Sequence, residues 1–239
     1  MKPALIFDLD DTLYLRSKPY ISAAKKFLHE LQISFKDFSA LFKSSRPIGE
    51  EEYLRRIRGE ISEREMKMVR TRRSFSALGI SLTAEQALHF EDLYAKEGEK
   101  QSLLPEIQTF LNRAKENGYF LGIITNGSAA RQWKKYQNLT LSRWFPADHV
   151  LVSDEIGTDK PHTRLYRIAE DRWKLEPYNL WYIGDSYETD ILGAKKAGWH
   201  AVWIPQEYTK IPPKSQMPFQ PDLLLPSVSD LIPYLPSES

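Results

Sequence analysis

The sequence predicts an α/β protein, a doubly wound parallel sheet with an all-helical segment inserted into it. Three observations carry that expectation. Short apolar runs that stop at polar or acidic residues recur along the chain, as strands buried on both faces do. Helical patterns separate the later runs in the manner of βαβ units. Between the first run and the second, over residues 17–102, strand signals vanish and helix-start signals crowd together.

The first strand is Ala4-Leu5-Ile6-Phe7, which ends at Asp8. Further strands are expected at 120–124, 149–152, 180–183 and 201–204, with 222–225 a weaker sixth. Pro105, suited to the first turn, opens a helix carrying Ile107, Phe110, Leu111 and Ala114, which Gly118 ends. Ile191, Ala194 and Ala197 form another that stops at Gly198. Inside the insert, Ile21, Ala24, Leu28 and Leu31 share one face, and Phe35, Phe38, Leu41 and Phe42 share a face on a second segment. Ser62-x-x-Glu65 and Thr83-x-x-Gln86 have the spacing of capping boxes, so each is expected to start a helix. The expected organisation is a core of residues 1–16 and 103–239 with a helical module at 17–102. Eight of the 15 prolines follow position 204, which excludes continuous helix or central strand from the tail.

Composition removes several function classes. The chain has 239 residues, 41% hydrophobic and 27% charged, which excludes disordered and fibrous classes. Its 33 Lys plus Arg against 32 Asp plus Glu leave a formal charge of +1, so no global field recruits a nucleic-acid polymer or an anionic membrane. With no cysteine there is no disulfide, thiol nucleophile or thiolate metal site, and metal ligands are limited to oxygen and nitrogen. The apolar start is too short for a signal-peptide core and no uncharged apolar stretch reaches bilayer length, so a cytoplasmic protein is expected. The oligomeric state is not legible.

Four segments carry candidate chemistry. Asp8 and Asp10 follow the first strand, with Asp11 and Thr12 next, and in extended chain the first two side chains project to one side. An isolated Asp-x-Asp is also a common turn or cap. Thr125-Asn126-Gly127-Ser128 follows the second strand and leads into a helix with Trp133 and Tyr136. Its amides and hydroxyls suit phosphate, and equally a plain N-cap by Asn126 or Ser128. Lys160 precedes Pro161, read as a first helical position, where the dipole disfavours a cation; a nearby anion would explain it, as would a solvated surface site. Gly184-Asp185 through Asp190 again places carboxylates after an apolar strand, and here a cap is the alternative. Together these segments would gather Asp8, Asp10, Asp185 and Asp190 at one sheet edge against one obvious cation, Lys160. Such a cluster repels itself and a phosphate alike unless a divalent cation is present, and oxygen ligands beside phosphate indicate Mg²⁺.

Phe7-Asp8-Leu9-Asp10-Asp11-Thr12-Leu13, Thr125-Asn126-Gly127, Lys160-Pro161 and Gly184-Asp185 through Asp190 resemble, in order, the four motifs of the haloacid dehalogenase superfamily. The insert is similar to the helical cap of its first cap class, which rests over the catalytic mouth. The resemblance implies that Asp8 is the nucleophile and forms an aspartyl phosphate, and that Asp10 protonates the leaving alcohol and then activates water. It further implies that Thr125, with Asn126 and Gly127, holds phosphate oxygens and that Lys160 neutralises charge. Mg²⁺ would be held by Asp8, the backbone carbonyl of Asp10, and Asp185, with Asp190 and Thr12 in support. The implied activity is a Mg²⁺-dependent phosphatase acting on a small phosphorylated metabolite, and within the superfamily 7–14 look most like members that hydrolyse nucleoside monophosphates, flavin mononucleotide or sugar phosphates.

Three rivals share parts of this inventory. A 2-haloacid dehalogenase also uses an aspartate nucleophile, but expelling halide requires no acid such as Asp10. A non-enzymatic phosphoacceptor module similar to receiver domains has no counterpart to the insert. A phosphomutase would use the same residues and exclude water. Arg64, Lys67, Arg70, Arg72 and Arg73 form a basic stretch that reads better as a solvated helix face among glutamates than as a substrate contact.

Overall fold

A computed structural model describes residues 2–176, 178–209 and 211–234. The expected outer limits of the core, Met1 and Ser239, lie outside these. The strands are β1 (Pro3–Phe7), β2 (Phe120–Thr125), β3 (Val150–Val152), β4 (Asn179–Gly184), β5 (His200–Trp203) and β6 (Leu223–Leu224). The helices are α1 (Ser17–Glu30), α2 (Phe38–Ile57), α3 (Glu63–Ser76), α4 (Ala84–Gly98), α5 (Pro105–Glu116), α6 (Ala129–Asn138), α7 (Ser153–Ile156), α8 (Thr163–Trp173) and α9 (Leu192–Lys196). The chain divides into two compact units, Met1–Leu15 with Ser102–Ser239, and Arg16–Gln101.

In the first unit all strand pairings are parallel, in the order β3-β2-β1-β4-β5-β6. The central strand explains why its sequence is apolar without alternation. Leu5 and Phe7 enter one core with Ile107, Phe110 and Phe145, while Ala4 and Ile6 enter the other with Leu165, Tyr166 and Trp199. Phe7, fully buried, meets Phe110 and Phe145 edge-on at 6.1 and 5.9 Å. Truncating such a side chain to alanine costs about 3–5 kcal/mol. The strand order reverses at β1, which lies between β2 and β4, and ligands of open α/β sheets bind beyond the carboxyl ends of the strands at such a point. Phe7 is level with Ile123 and with Ile183, so the register delivers Asp8, Thr125 and Asp185 to the same end of the sheet.

The second unit is four helices, and both capping boxes form: Ser62 with Glu65 and Thr83 with Gln86. Its interior is aromatic, with Phe27, Phe75 and Phe90 meeting one another at 5.0 to 5.6 Å. Three residues of the basic stretch pair with carboxylates within the unit. Arg70 meets Glu91 at 2.6 Å, Arg73 meets Glu51 and Glu52 at 2.8 and 2.5 Å, and Lys67 meets Glu63 at 3.0 Å.

Two local expectations are corrected. Phe35 lies ahead of α2, because Asp37 caps that helix by accepting from the Ala40 amide at 2.8 Å, and Phe35 packs edge-on to Phe38 instead. Pro161 does not open α8. It sits in a turn closed by the His162 amide on the Asp159 carbonyl (3.0 Å), the Lys160–Pro161 peptide is cis, and His162 caps the helix that starts at Thr163. No described helix is long and apolar enough to cross a membrane.

Candidate active site

The Asp8 amide prolongs the β1–β4 ladder by donating to the Ile183 carbonyl at 2.9 Å, which fixes its backbone just past the strand. Its carboxylate, nearly buried, accepts from Lys160 Nζ at 2.6 Å. The same ammonium donates to Asp190 Oδ1 at 2.6 Å and to Tyr182 Oη at 2.8 Å, so its three protons have three acceptors. Tyr182 in turn donates to the Ile124 carbonyl at 2.8 Å, which leaves its oxygen lone pair for the lysine. Burial works against the Lys160 charge, but Asp190 and Asp8 outweigh it and hold the ammonium protonated well above the usual lysine range. Burial pushes the Asp8 carboxyl up to about 7; Lys160 opposes that rise, and the charges of Asp190 and Asp10 add to it.

Asp190 comes from the π-helical turn Tyr187–Ile191 and places Oδ2 on the Ser186 amide at 3.1 Å. Gly184 makes room for it, because a Cβ at that position would stand 2.4 Å from Asp190 Oδ2. One carboxylate oxygen from each of Asp8, Asp185 and Asp190 lies within 4.8 Å of the others. An octahedral ion with bonds of about 2.1 Å spaces its ligands about 3 to 4 Å apart, so the Asp8 and Asp185 oxygens suit one hard cation, with Asp190, whose oxygens accept from Lys160 and the Ser186 amide, beside it. Asp8 and Asp190 share one ammonium, which leaves a negative surplus of the kind a divalent ion neutralises.

Asp10 is held by a different group. Lys135 Nζ is 2.7 Å from both carboxylate oxygens, Tyr14 Oη donates to Oδ1, and Gln132 Nε2 approaches Oδ2 at 3.4 Å. The chain turns directly after Asp10: Asp11 has φ +60°, its carboxylate accepts from Tyr208 Oη and its carbonyl from Gln206 Nε2, both at 2.6 Å. Thr12 Oγ1 is buried with no hydrogen-bond partner among the described residues.

Thr125 is buried, and its Oγ1 accepts from Gln132 Nε2 at 2.5 Å. The Asn126 side chain is paired reciprocally with the Lys160 backbone, Oδ1 to N at 2.8 Å and Nδ2 to O at 3.0 Å, so it ties the second segment to the third. Gly127 has φ +133°, a conformation L side chains rarely adopt. The expectation of free amides at this helix start is corrected. The Gly127 amide donates to Ser153 Oγ at 3.1 Å and the Ala129 amide to Asp154 Oδ2 at 3.0 Å, because the end of β3 lies alongside and supplies acceptors. Neither Asn126 nor Ser128 caps the helix through its side chain; Ser128 Oγ accepts from Arg131.

All the expected residues thus belong to the carboxyl end of one sheet. The count of one cation is corrected to two, since Lys135 joins Lys160. Lys135, Gln132, Tyr14 and Tyr182 were not singled out from sequence. Gln132 and Lys135 are three apart on α6 and share a face, a spacing visible in the sequence, but nothing local says that this face turns toward Asp10.

Residues 2–198 match the haloacid dehalogenase-like hydrolase family, and the chain belongs to it. It is a hydrolase of that family. It is 31% identical over 215 residues to a glyceraldehyde 3-phosphate phosphatase of Methanothermobacter thermautotrophicus, covering 88% of each chain. In structure it is similar to L-2-haloacid dehalogenase from Xanthobacter autotrophicus, with TM-score 0.68, 18% identity and 97% of each chain covered. It is also similar to the HAD-hydrolase YfnB from Bacillus subtilis bound to magnesium, with TM-score 0.69, 18% identity and 98% of each chain covered. Because a dehalogenase and a magnesium-bound hydrolase share this fold at similar scores, the fold alone does not choose the reaction.

Proposed function

We propose that this hydrolase is a Mg²⁺-dependent phosphatase of small phosphomonoesters that works through an aspartyl phosphate on Asp8. The observation that carries this is the pairing of two differently held carboxylates: Asp8 buried on Lys160 beside Asp185 and Asp190, and Asp10 in its own group of donors. A dehalogenase has no use for the second, and the whole-length similarity to a phosphatase favours the same choice.

In the first step an Asp8 carboxylate oxygen bonds to phosphorus as the ester P–O bond breaks, and Asp10 gives its proton to the departing alkoxide. In the second, water gives a proton to Asp10 as its oxygen bonds to phosphorus, and the Asp8–phosphorus bond breaks to release phosphate. Lys160 offsets charge on Asp8 and on the phosphoryl oxygens, Thr125 with the Asn126–Gly127 backbone borders the phosphate, Asp190 orients Lys160, and Thr12 supports the loop. Asp8, the Asp10 backbone carbonyl and Asp185 would hold Mg²⁺, which would supply the charge neutralisation that a phosphate dianion needs among carboxylates.

The core of residues 1–16 and 103–239 carries this chemistry, and the helical segment 17–102 serves as a cap of the first class. The substrate is a soluble metabolite of the cytoplasm, neither nucleic-acid polymer nor membrane. Among nucleotides, flavin mononucleotide and sugar phosphates, the similarity to a glyceraldehyde 3-phosphate phosphatase favours a short sugar phosphate. The test is phosphate release from a panel of these esters, with and without Mg²⁺, beside halide release from a 2-haloacid. Phosphate release that chelation abolishes and Mg²⁺ restores is expected. Halide release without phosphate release would replace the proposal with a dehalogenase.

A further inference from the structure

We infer that Lys135 is a positioning residue that sets the direction of the Asp10 carboxylate, with Gln132 linking that carboxylate to Thr125. The inference rests on the phosphatase reading above. Asp10 lies beyond the end of β1, bridged through its backbone to Tyr14 and followed by a residue at φ +60°, and that backbone alone does not set the plane of its carboxylate. Direction has to come from what the carboxylate touches. Lys135 Nζ is equidistant from both oxygens at 2.7 Å, a symmetrical grip that fixes the plane of the carboxylate as well as its place. Tyr14 and Gln132 add donors from two further places in the chain.

Two features set this pair apart from a surface salt bridge. Exposed pairs contribute little because water competes and two flexible side chains must be ordered. Here the Asp10 and Lys135 side chains are only 16% and 29% exposed, and the lysine belongs to α6, whose Gln132 is 2% exposed. The spacing of three places Gln132 and Lys135 on one face, so a single rigid element holds Asp10 through Lys135 and Thr125 through Gln132, whose Nε2 also donates to the Asn126 carbonyl at 3.0 Å and stands 3.4 Å from Asp10 Oδ2. The proton-transfer group and the phosphate-bordering threonine therefore share one support. A proton donor displaced by about 1 Å loses about 10²-fold in rate, which makes such a support consequential.

The experiment compares Lys135→Met and Lys135→Arg with the wild type, using an alkyl phosphate from the active class and p-nitrophenyl phosphate, both with saturating Mg²⁺. Lys135→Met is expected to lower kcat for the alkyl ester by about 10- to 10²-fold with KM changed less than about twofold. With the aryl ester, whose leaving group needs no acid, the first turnover is expected to stay fast while hydrolysis slows, so a burst of nitrophenol of about one per site appears. Lys135→Arg recovers part of the loss. In an Asp10→Asn background Lys135→Met adds no further loss, because its effect passes through Asp10. Wild-type rates in Lys135→Met, a change confined to KM, equal slowing of both steps without a burst, or a full additional loss in the Asp10→Asn background each overturn the inference while the phosphatase reading stands. A wild type inactive on every ester overturns both.

Discussion

In the helical unit Glu52, fully buried, accepts from Arg55 at 2.8 Å and Arg73 at 2.5 Å, and Glu91 accepts from Arg70 at 2.6 Å and from Thr71. At the carboxyl ends of β1 and β4, Asp8 and Asp190 instead share one ammonium, that of Lys160, at 2.6 Å each, with an Asp185 carboxylate oxygen within 4.8 Å of theirs. Each buried carboxylate of the helical unit has at least one cation of its own, as burial requires where charge serves folding alone. The sheet edge keeps a surplus of negative charge and tolerates the raised Asp8 carboxyl that results. A surplus of this kind is stable only with a proton or a cation to offset it, and that distinguishes the sheet edge from the paired carboxylates of the helical unit.

The strongest way to break this contrast is Asp8→Asn, which removes the nucleophile and one of the three carboxylates. Turnover is expected to fall by more than about 10⁴-fold with an unchanged circular dichroism spectrum. Retained turnover means the surplus charge serves something other than phosphoryl transfer.

Asp185→Ala and a pH series sharpen the contrast from the metal side. The variant is expected to raise the Mg²⁺ concentration for half-maximal activity more than about tenfold. For the pH series the sign follows from Asp8. Its carboxyl lies at about 7 when folded against an ordinary 3.8, so between these values the folded metal-free protein holds a proton that the unfolded chain has lost. Metal-free stability therefore declines as pH rises through that window. Mg²⁺ must displace the same proton, so the rise in Tm on adding Mg²⁺ is expected to be small at pH 5.5 and larger at pH 8, by differential scanning calorimetry. A Mg²⁺ effect independent of pH, or one kept in Asp8→Asn with its pH dependence intact, assigns the cation elsewhere.

The smallest effect on chemistry belongs to the balanced region. Glu91→Gln leaves Arg70 without its carboxylate and is expected to destabilise the protein by about 3 kcal/mol, read as a lower midpoint in urea. The Mg²⁺ requirement is expected to match the wild type. A shifted requirement would show that the two charge clusters are coupled and the contrast is wrong.

Much of the architecture was legible because its signals are short in sequence. A strand buried on both faces declares itself in four residues, Ala4 to Phe7, and a capping box in four, as at Ser62 to Glu65, since both partners lie within one turn of chain. The positions of Asp8, Thr125 and Asp185 at the ends of apolar runs likewise told which residues end strands. Two signals failed, one to its immediate neighbours and one to a partner far along the chain. Pro161 carried a helix-start signal, yet the turn on Asp159 and the cap at His162 moved the helix to Thr163. The amides after Asn126 looked open until packing brought Ser153 and Asp154 from the end of β3 against them.

The sequence by itself determined the parallel doubly wound sheet, the helical insert and the set of acidic residues at strand ends, because hydrophobic period and turn chemistry act over a few residues. Only the tertiary structure decided how those acids are held. Lys160 reaches Asp8 across 152 positions and Lys135 reaches Asp10 across 125, and no local pattern encodes which face of α6 turns inward or that Gly184 clears space for Asp190. Register, helix rotation and the packing of both cores fix those distances, and the distances assign each carboxylate its partner.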